Sequence, residues 1–287
     1  MKNIGVIANT KRPHAEPVLS EIACKARRLG FNVHADPDTA ALLKCAEPLA
    51  PENFAEKIDV ALALGGDGTV LFTAKALAGA DIPIFGLNLG SLGFLTSVGD
   101  QEIDHALEAL ASGNLRESVR SVADCSISAN GKPLGEYRAL NDMVIAWGRS
   151  SHITTVALRI NGEEVSQFMC DGVIISTPTG STGHSLSAGG PILHPETPVF
   201  VINVICPHTL SSRPMVIPDS SEIEIEVLKA RKTLVCSVDG QDIYDEVGPG
   251  FTMKITKSEK PVRFLQLPDH SYFDVLTKKL HWRGSSL

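Results

Sequence analysis

Residues 58–69 read Ile-Asp-Val-Ala-Leu-Ala-Leu-Gly-Gly-Asp-Gly-Thr, an apolar run of the buried-strand type that stops at three glycines grouped around one acid. A helical pattern follows as far as Leu77. A strand that turns at once into a helix leaves the first helical N–H groups unpaired at the carboxyl end of a parallel sheet, where α/β proteins hold phosphates. Gly65, Gly66 and Gly68 let a pyrophosphate approach the backbone, and Asp67, the one charge in the turn, is suited to accept a hydroxyl proton or to hold magnesium. The bland alternative is a structural turn with Asp67 as an N-cap. No Gly-Lys-Ser/Thr follows, which excludes a Walker A loop, and Leu71 breaks a GxGxxG pattern.

On the amino-terminal side, Ile4–Ala8 and Phe31–Ala35 read as short strands around a helix at Pro17–Leu29, whose apolar residues include Val18, Leu19, Ile22, Ala26 and Leu29. On the carboxyl side come a strand at Ile82–Leu87 and a helix at Gln101–Gly113, with Ile103, Ala106, Leu107 and Leu110 on one face and Gly113 as its stop. This alternation implies a mainly parallel, doubly wound sheet up to about residue 115. Beyond Arg116 short β-branched runs are separated by turn signals at Asn130-Gly131, Asn161-Gly162, Asp171-Gly172, Gly189-Gly190-Pro191 and Asp239-Gly240, the pattern of an antiparallel, β-rich half. Ile153–Ile160 alternates, as does Glu222–Leu228, where the acids mark a solvated face. Tyr272, Phe273, Leu276 and Leu280 return to helical spacing as a core stripe. The expected organisation is an α/β domain over 1–118, a β-rich domain over 119–265, and a segment at 266–287 that packs back on the first domain.

The chain has 287 residues, 43% of them hydrophobic, which is enough for at least one full core and excludes disorder. Lysine plus arginine number 26 against 33 acids, a net charge of −7, which argues against a protein that coats nucleic acid or anionic lipid. The six cysteines, at 24, 45, 125, 170, 206 and 236, form no CxxC pair and no dense disulfide framework, so the thiols read as reduced and the protein as cytoplasmic. No apolar run approaches 18 residues, and Met1-Lys2-Asn3 leads into a strand rather than a signal peptide, so no membrane partner is expected. The nine histidines have no metal-helix spacing, and no metal-ligand set is assigned. Ser181 and Ser185 lack a nucleophile-elbow context.

The second polar cluster runs from Asp171-Gly172 through Ser176-Thr177-Pro178-Thr179-Gly180-Ser181-Thr182-Gly183-His184-Ser185-Leu186-Ser187-Ala188 to Gly189-Gly190-Pro191. Such a hydroxyl- and glycine-rich loop offers donors and acceptors at low steric cost. By itself it is open to reading as a plain surface loop; after a buried strand it is better read as half of a nucleotide cleft between domains.

Taken together, GGDGT at 65–69, LNLGSLGFLT at 87–96, Leu-Asn-Asp at 140–142, Asp171-Gly172, STPTGST at 176–182, SAGGP at 187–191, PHTLS at 207–211, Asp239-Gly240-Gln241 and the Tyr272-to-Trp282 segment resemble the NAD kinase family, in order, over nearly the whole chain. The resemblance implies a Rossmann-like N-terminal domain, an all-β C-terminal domain, and dimers or tetramers. It implies transfer of a phosphoryl group from ATP, or polyphosphate in some members, to the 2′-hydroxyl of the adenosine ribose of NAD, with a divalent cation such as magnesium. Carried onto this sequence, Asp67 is the proton acceptor with Gly68 beside it, Asn141 and Asp142 bind polar groups of the dinucleotide, and Asp171 reaches its nicotinamide end. Thr182, Gly183, His184, Ser185, Leu186 and Ser187 line the adenosine, and His152, Cys206 and Gln241 stand at dinucleotide contacts.

The chain departs from the family pattern at Phe72, where many relatives carry arginine, at Met169-Cys170 before the second Asp-Gly, and at Gly183-His184, where Ala-Tyr is usual. A lipid kinase of the diacylglycerol type shares GGDGT but differs at Gly90–Phe94, and a dinucleotide-binding protein without turnover is the rival from another class.

Overall fold

The computed structural model describes residues 1–11, 15–43, 45–90, 93–99, 102–148 and 153–282, and these form two compact units, 1–119 with the carboxyl-terminal segment from 262, and 120–261. The first unit begins β1 (Asn3–Ala8), α1 (Ala15–Arg28), β2 (Asn32–Ala35), α2 (Pro37–Leu42), β3 (Glu47–Pro48) and α3 (Phe54–Lys57). It continues with β4 (Val60–Gly65), α4 (Asp67–Ala76), β5 (Ile84–Asn88), α5 (Ile103–Ser112) and β6 (Arg116–Arg120). The second holds β7 (Ala123–Ala129), β8 (Lys132–Ala139), β9 (Asp142–Ala146), β10 (Thr154–Ile160), β11 (Glu163–Cys170) and β12 (Gly172–Ser176). After the short α6 (His184–Ser187) come β13 (Val199–Ile205), β14 (Met215–Pro218), β15 (Ile223–Ala230), β16 (Leu234–Val238), β17 (Gln241–Val247) and β18 (Phe251–Lys257). β19 (Val262–Gln266) and α7 (Tyr272–Lys279) belong to the first unit.

The first sheet has the order β3-β2-β1-β4-β5-β19-β6, with every pair from β3 to β19 parallel. All six residues of β4 are buried, as a strand covered on both faces requires. Leu19, Ile22, Ala23 and Ala26 form the buried stripe of α1, and Ile103, Ala106, Leu107 and Leu110 that of α5; both stripes join the sheet's hydrophobic core. Gly113, at φ 72°, ends α5 in the left-handed conformation that favours glycine. Because the chain runs outward through β1, β2 and β3 and then returns to β4, strand order reverses between β1 and β4, and the glycine turn after β4 lies at that switch point.

The second unit is a sandwich of two six-stranded sheets, β11-β10-β15-β18-β7-β8 and β14-β13-β12-β9-β16-β17, in which the pairs joining all the strands are antiparallel. Their inner faces supply one core, with Ile127, Val156, Ile225 and Met253 from one sheet and Met143, Ile145, Ile175 and Phe200 from the other. Asn130-Gly131, Asn161-Gly162 and Asp239-Gly240 each place two successive residues at positive φ, the geometry of tight hairpins.

Four expectations change. Phe273, read as part of the carboxyl-terminal core stripe, is 65% exposed, and Val275 and Leu276 are the buried residues of α7. The return to the first unit starts at Val262 rather than 266, because β19 inserts beside β5. Asp171-Gly172 is no hairpin turn: the chain crosses there from one sheet to the other, and a Cβ on Gly172 would lie 2.5 Å from the Ile145 carbonyl. The acids of β15 do not face open solvent either, since Arg159 bonds Glu224 at 2.7 Å and Glu226 at 2.9 Å while Lys254 meets Glu224 at 3.0 Å. These pairs are only partly accessible to water and set cross-strand register more than they stabilise.

Candidate active site

Asp67 is the first residue of α4, behind Gly66 as the N-cap, so it does not cap its own helix. Its carboxylate instead accepts the N–H of Phe94 at 3.0 Å and of Leu95 at 2.9 Å, one on each oxygen. The loop after β5 is thereby locked onto the turn after β4. Gly93 is required by this contact, since a Cβ there would stand 1.9 Å from Asp67 Oδ1, and its N–H is held by Thr96 Oγ1 at 2.9 Å. Gly65 is tied down as well, with Thr69 Oγ1 where its Cβ would go, whereas Gly66 and Gly68 are exposed with open space in front of them. The result is a half-buried carboxylate in a fixed orientation, flanked by backbone that a ligand reaches without a side chain in the way. Asn88, at the end of β5, accepts Gly90 N–H at 3.0 Å, and its buried Nδ2 has no partner among the described residues. Phe72 is exposed on α4, and Lys279 Nζ from α7 stands 6.0 Å from the centre of the Phe94 ring.

In the second unit, Leu140 and Asn141 carry the chain from β8 in one sheet to β9 in the other. This crossing is gripped from two sides. The Asp239 carboxylate accepts the N–H groups of Leu140 at 2.9 Å, Asn141 at 2.7 Å and Asp142 at 3.1 Å, and Asp239 N–H donates to the Asp142 carbonyl at 2.9 Å. From the other side, Thr177 N–H donates to the Asn141 carbonyl at 2.9 Å and Thr177 Oγ1 to the Leu140 carbonyl at 2.5 Å. Gly180 packs so closely that a Cβ would lie 2.2 Å from the Asn141 carbonyl oxygen.

The hydroxyl-rich loop is thus a built element rather than a loose surface loop. Asn203 Nδ2 donates to the Ser185 and Ala188 carbonyls, and Ser181 Oγ accepts Leu193 N–H. Asn141 Oδ1, Thr179 Oγ1 and Ser185 Oγ are buried without a partner among the described residues. A buried polar atom left unpaired costs about 1–3 kcal/mol, and these three lie in adjoining segments, the crossing and the loop packed on it. Asp142 is 6% exposed, and burial together with the neighbouring Asp239 charge pushes its carboxyl up to about 7. Gly183, His184 and Ser187 are exposed, Thr182 and Leu186 half-buried, and Gln241 is exposed at the start of β17.

Asp171 and Cys206 stand apart from this group. β9 and β12 are antiparallel, with Asp142 opposite Ser176 at one end and Ala146 opposite Gly172 at the other, four residue steps or about 13 Å away. At that far end Asp171 N–H bonds the Ile205 carbonyl at 3.0 Å, Cys206 follows exposed at φ 46°, and His208 N–H bonds the Met169 carbonyl at 2.8 Å. The structure therefore gathers Asn141, Asp142 and the 182–187 loop, places Asp171 and Cys206 at the opposite strand ends, and holds Asp67 and Gly68 in the first unit; His152 lies outside the described residues. Sequence reading missed the amides of Phe94 and Leu95 and the grip of Asp239. The signal for the latter, Asp239-Gly240, read as a turn and as part of the family motif Asp239-Gly240-Gln241, with no role given to Asp239 itself.

A doubly wound unit with an open glycine turn and one fixed carboxylate, joined in sequence to a β-sandwich bearing unpaired polar groups, defines a phosphotransferase acting on a nucleotide. The profile of the ATP-NAD kinase N-terminal domain matches residues 4–115 and that of the ATP-NAD kinase C-terminal domain residues 140–267. The chain belongs to the NAD kinase family. It is 36% identical over 282 residues to the NAD kinase of Geotalea daltonii, covering 98% of this chain and 99% of that one. The identity to the NAD kinase of Geobacter metallireducens is 37% over 284 residues, with 98% and 99% covered. Among solved structures, yeast NADH kinase complexed with NADH superposes with a TM-score of 0.90 at 25% identity, over 100% of this chain and 89% of that one. An NAD kinase from Archaeoglobus fulgidus in complex with ATP gives 0.77 at 26% identity, over 98% and 100%.

Proposed function

We propose that this chain transfers the terminal phosphoryl group of ATP to the 2′-hydroxyl of the adenosine ribose of NAD, forming NADP. The observation that carries this reading is Asp67, an oriented carboxylate at the amino end of α4 with the exposed Gly66 and Gly68 on either side. In-line phosphoryl transfer needs positioning and charge neutralisation more than covalent help. Asp67 takes the proton of the attacking hydroxyl while the glycine backbone and the helix amino end lie against phosphate. Asn141 Oδ1, the Asp142 carboxyl and Ser185 Oγ are the polar groups assigned to the dinucleotide, with the exposed His184 ring free to lie along the adenine.

Among the described residues no group of three or more His, Cys, Asp or Glu side chains could hold a metal ion. Magnesium would then be held through substrate phosphates and water, which needs no dedicated set of side chains, while Asp67 stays free to act as the base. When bound, the ion neutralises charge on the transferring phosphoryl. With Phe72 in place of a cation, Lys279 beside Phe94 is the basic residue assigned to the same end of the site.

We assign Asp171 and Cys206 to the site of a neighbouring copy in a homodimer or homotetramer; their place at the far ends of β9 and β12 supports that assignment. Among the described residues no helix is long and apolar enough to cross a membrane, and a cytoplasmic location is part of the proposal.

The test is NADP formation from NAD, ATP and magnesium, with NADH and polyphosphate as alternative substrates. Asp67→Asn, which keeps the shape and removes the base, is expected to lower kcat by ~10² or more with NAD binding retained. Near-wild-type turnover in that variant would remove Asp67 from its role.

A further inference from the structure

We propose that Asp239 is a positioning residue of the dinucleotide site: it does not touch the ligand, but its carboxylate, bonded by three successive amides, sets where Asn141 and Asp142 stand. The inference rests on the proposed function and deepens it.

Leu140 and Asn141 form a sheet-to-sheet crossing, outside either ladder, and Asp142 opens β9 opposite Ser176. Asp239 accepts all three amides from 97 to 99 residues away, at the head of the β16–β17 hairpin, where its φ of 48° turns the carboxylate back onto the crossing. Bonds to an ionised acceptor are about twice as strong as neutral ones, and three in a row hold the crossing against Asp239. The Asp239 N–H to Asp142 carbonyl bond closes the clamp in the other direction. Both side chains presented by the crossing carry features of ligand contacts: Asn141 Oδ1 has no partner among the described residues, and Asp142 is buried.

Asp239 also acts through its charge. Its negative carboxylate is, after burial, the second cause that pushes the Asp142 carboxyl up to about 7. Of the elements packed on this end of β9, β12 (Gly172–Ser176) and β16 (Leu234–Val238) bring no acid and no base; Cys236, the one ionisable residue of either, is a buried thiol paired with Ile145 rather than with Asp142. The 179–187 segment brings only His184, which is exposed. Among the described residues, Asp239 is thus the charge that adds to burial in raising the Asp142 carboxyl.

Two variants separate geometry from charge. Asp239→Asn keeps the shape, turns an amide NH₂ toward backbone N–H groups and removes the charge. Asp239→Glu keeps the charge and displaces it by one methylene. NAD affinity is measured by calorimetry without ATP, kcat and KM by NADP formation, and both are followed from pH 5 to 9. The expectation for Asp239→Asn is a rise in KM for NAD of about tenfold with kcat changed less than threefold, the pattern of lost ground-state positioning. The wild-type affinity profile is expected to show the Asp142 titration, and in this variant its midpoint should move to lower pH. Asp239→Glu should raise KM similarly and leave the midpoint in place. Lowered Tm with KM and midpoint unchanged makes Asp239 a purely structural clamp and overturns the inference, as does loss of folding in both variants. Failure of the functional reading is distinct: the wild-type protein itself would then bind no NAD and form no NADP.

Discussion

Asp142 puts a carboxyl where ionisation is unfavourable, and the consequence extends to stability. Below about pH 4 an aspartate is protonated in the folded and unfolded chains alike, and its burial carries no charge penalty. Between that value and about 7 the unfolded chain releases the proton and the folded one keeps it, so stability falls as pH rises; above 7 the fold bears the full penalty, about 4 kcal/mol at most. Asp142→Asn removes the titration. The second unit of this variant is expected to melt several degrees above wild type at pH 8, with a gap that narrows toward pH 5, as differential scanning calorimetry would record. A gap that does not vary with pH would show that Asp142 is not the group held protonated.

At the scale of elements, the loop after β5 has the most to lose from a small change. Gly93 sits against Asp67 because no side chain fits, so Gly93→Ala must move either the carboxylate or the loop. We expect a fall in kcat of tenfold or more with little change in Tm, since the collision is with the half-buried Asp67 carboxylate at the start of α4 and not with the core. Turnover within twofold of wild type would mean that Asp67 tolerates displacement. The elements themselves were largely legible in the sequence. β4 reads as buried because Val60 to Leu64 carry no polar residue, and the hairpins announce themselves at Asn130-Gly131 and Asn161-Gly162, where the side chain that tolerates positive φ precedes glycine. The grip of Asp239 was not legible, because its partners lie about a hundred positions away and an Asp-Gly pair means a turn with or without them. Asp171-Gly172 misled for a related reason: the glycine answers a carbonyl of β9, a neighbour that local sequence does not name. The acids of β15 alternate as solvated ones do, and only the pairing with β10 and β18 brings Arg159 and Lys254 to them.

For the whole molecule, the two units have separate hydrophobic cores, and their demands on the chain differ. Residues 120–261 contain both sheets of the sandwich, so that fragment is expected to fold alone with a cooperative thermal transition and β-type circular dichroism. The first unit does not have this independence from its own first 119 residues, because β19 lies between β5 and β6. Assembly is tested at the same scale. Sedimentation should give a mass above one chain at micromolar concentration, and Asp171→Ala should weaken NAD binding without loss of folding; a fully active monomer would sink the shared-site assignment.

The insertion of β19 also orders events during synthesis. Domains are commonly finished in the order in which the ribosome makes them, at roughly 5–20 residues per second. Here the Asp67 turn is translated early, yet its sheet lacks the strand beside β5 until 142 further residues, 120 to 261, have been added, a wait of roughly 7–30 s. Through that interval the part of the β5 edge at Ile84 and Phe85 presents unpaired backbone groups, the condition under which strands recruit foreign partners. The later-made sandwich can complete its core first, and the earlier-made half then closes around a strand delivered last. Nascent chains stalled just before Val262 should therefore be the species most in need of chaperones.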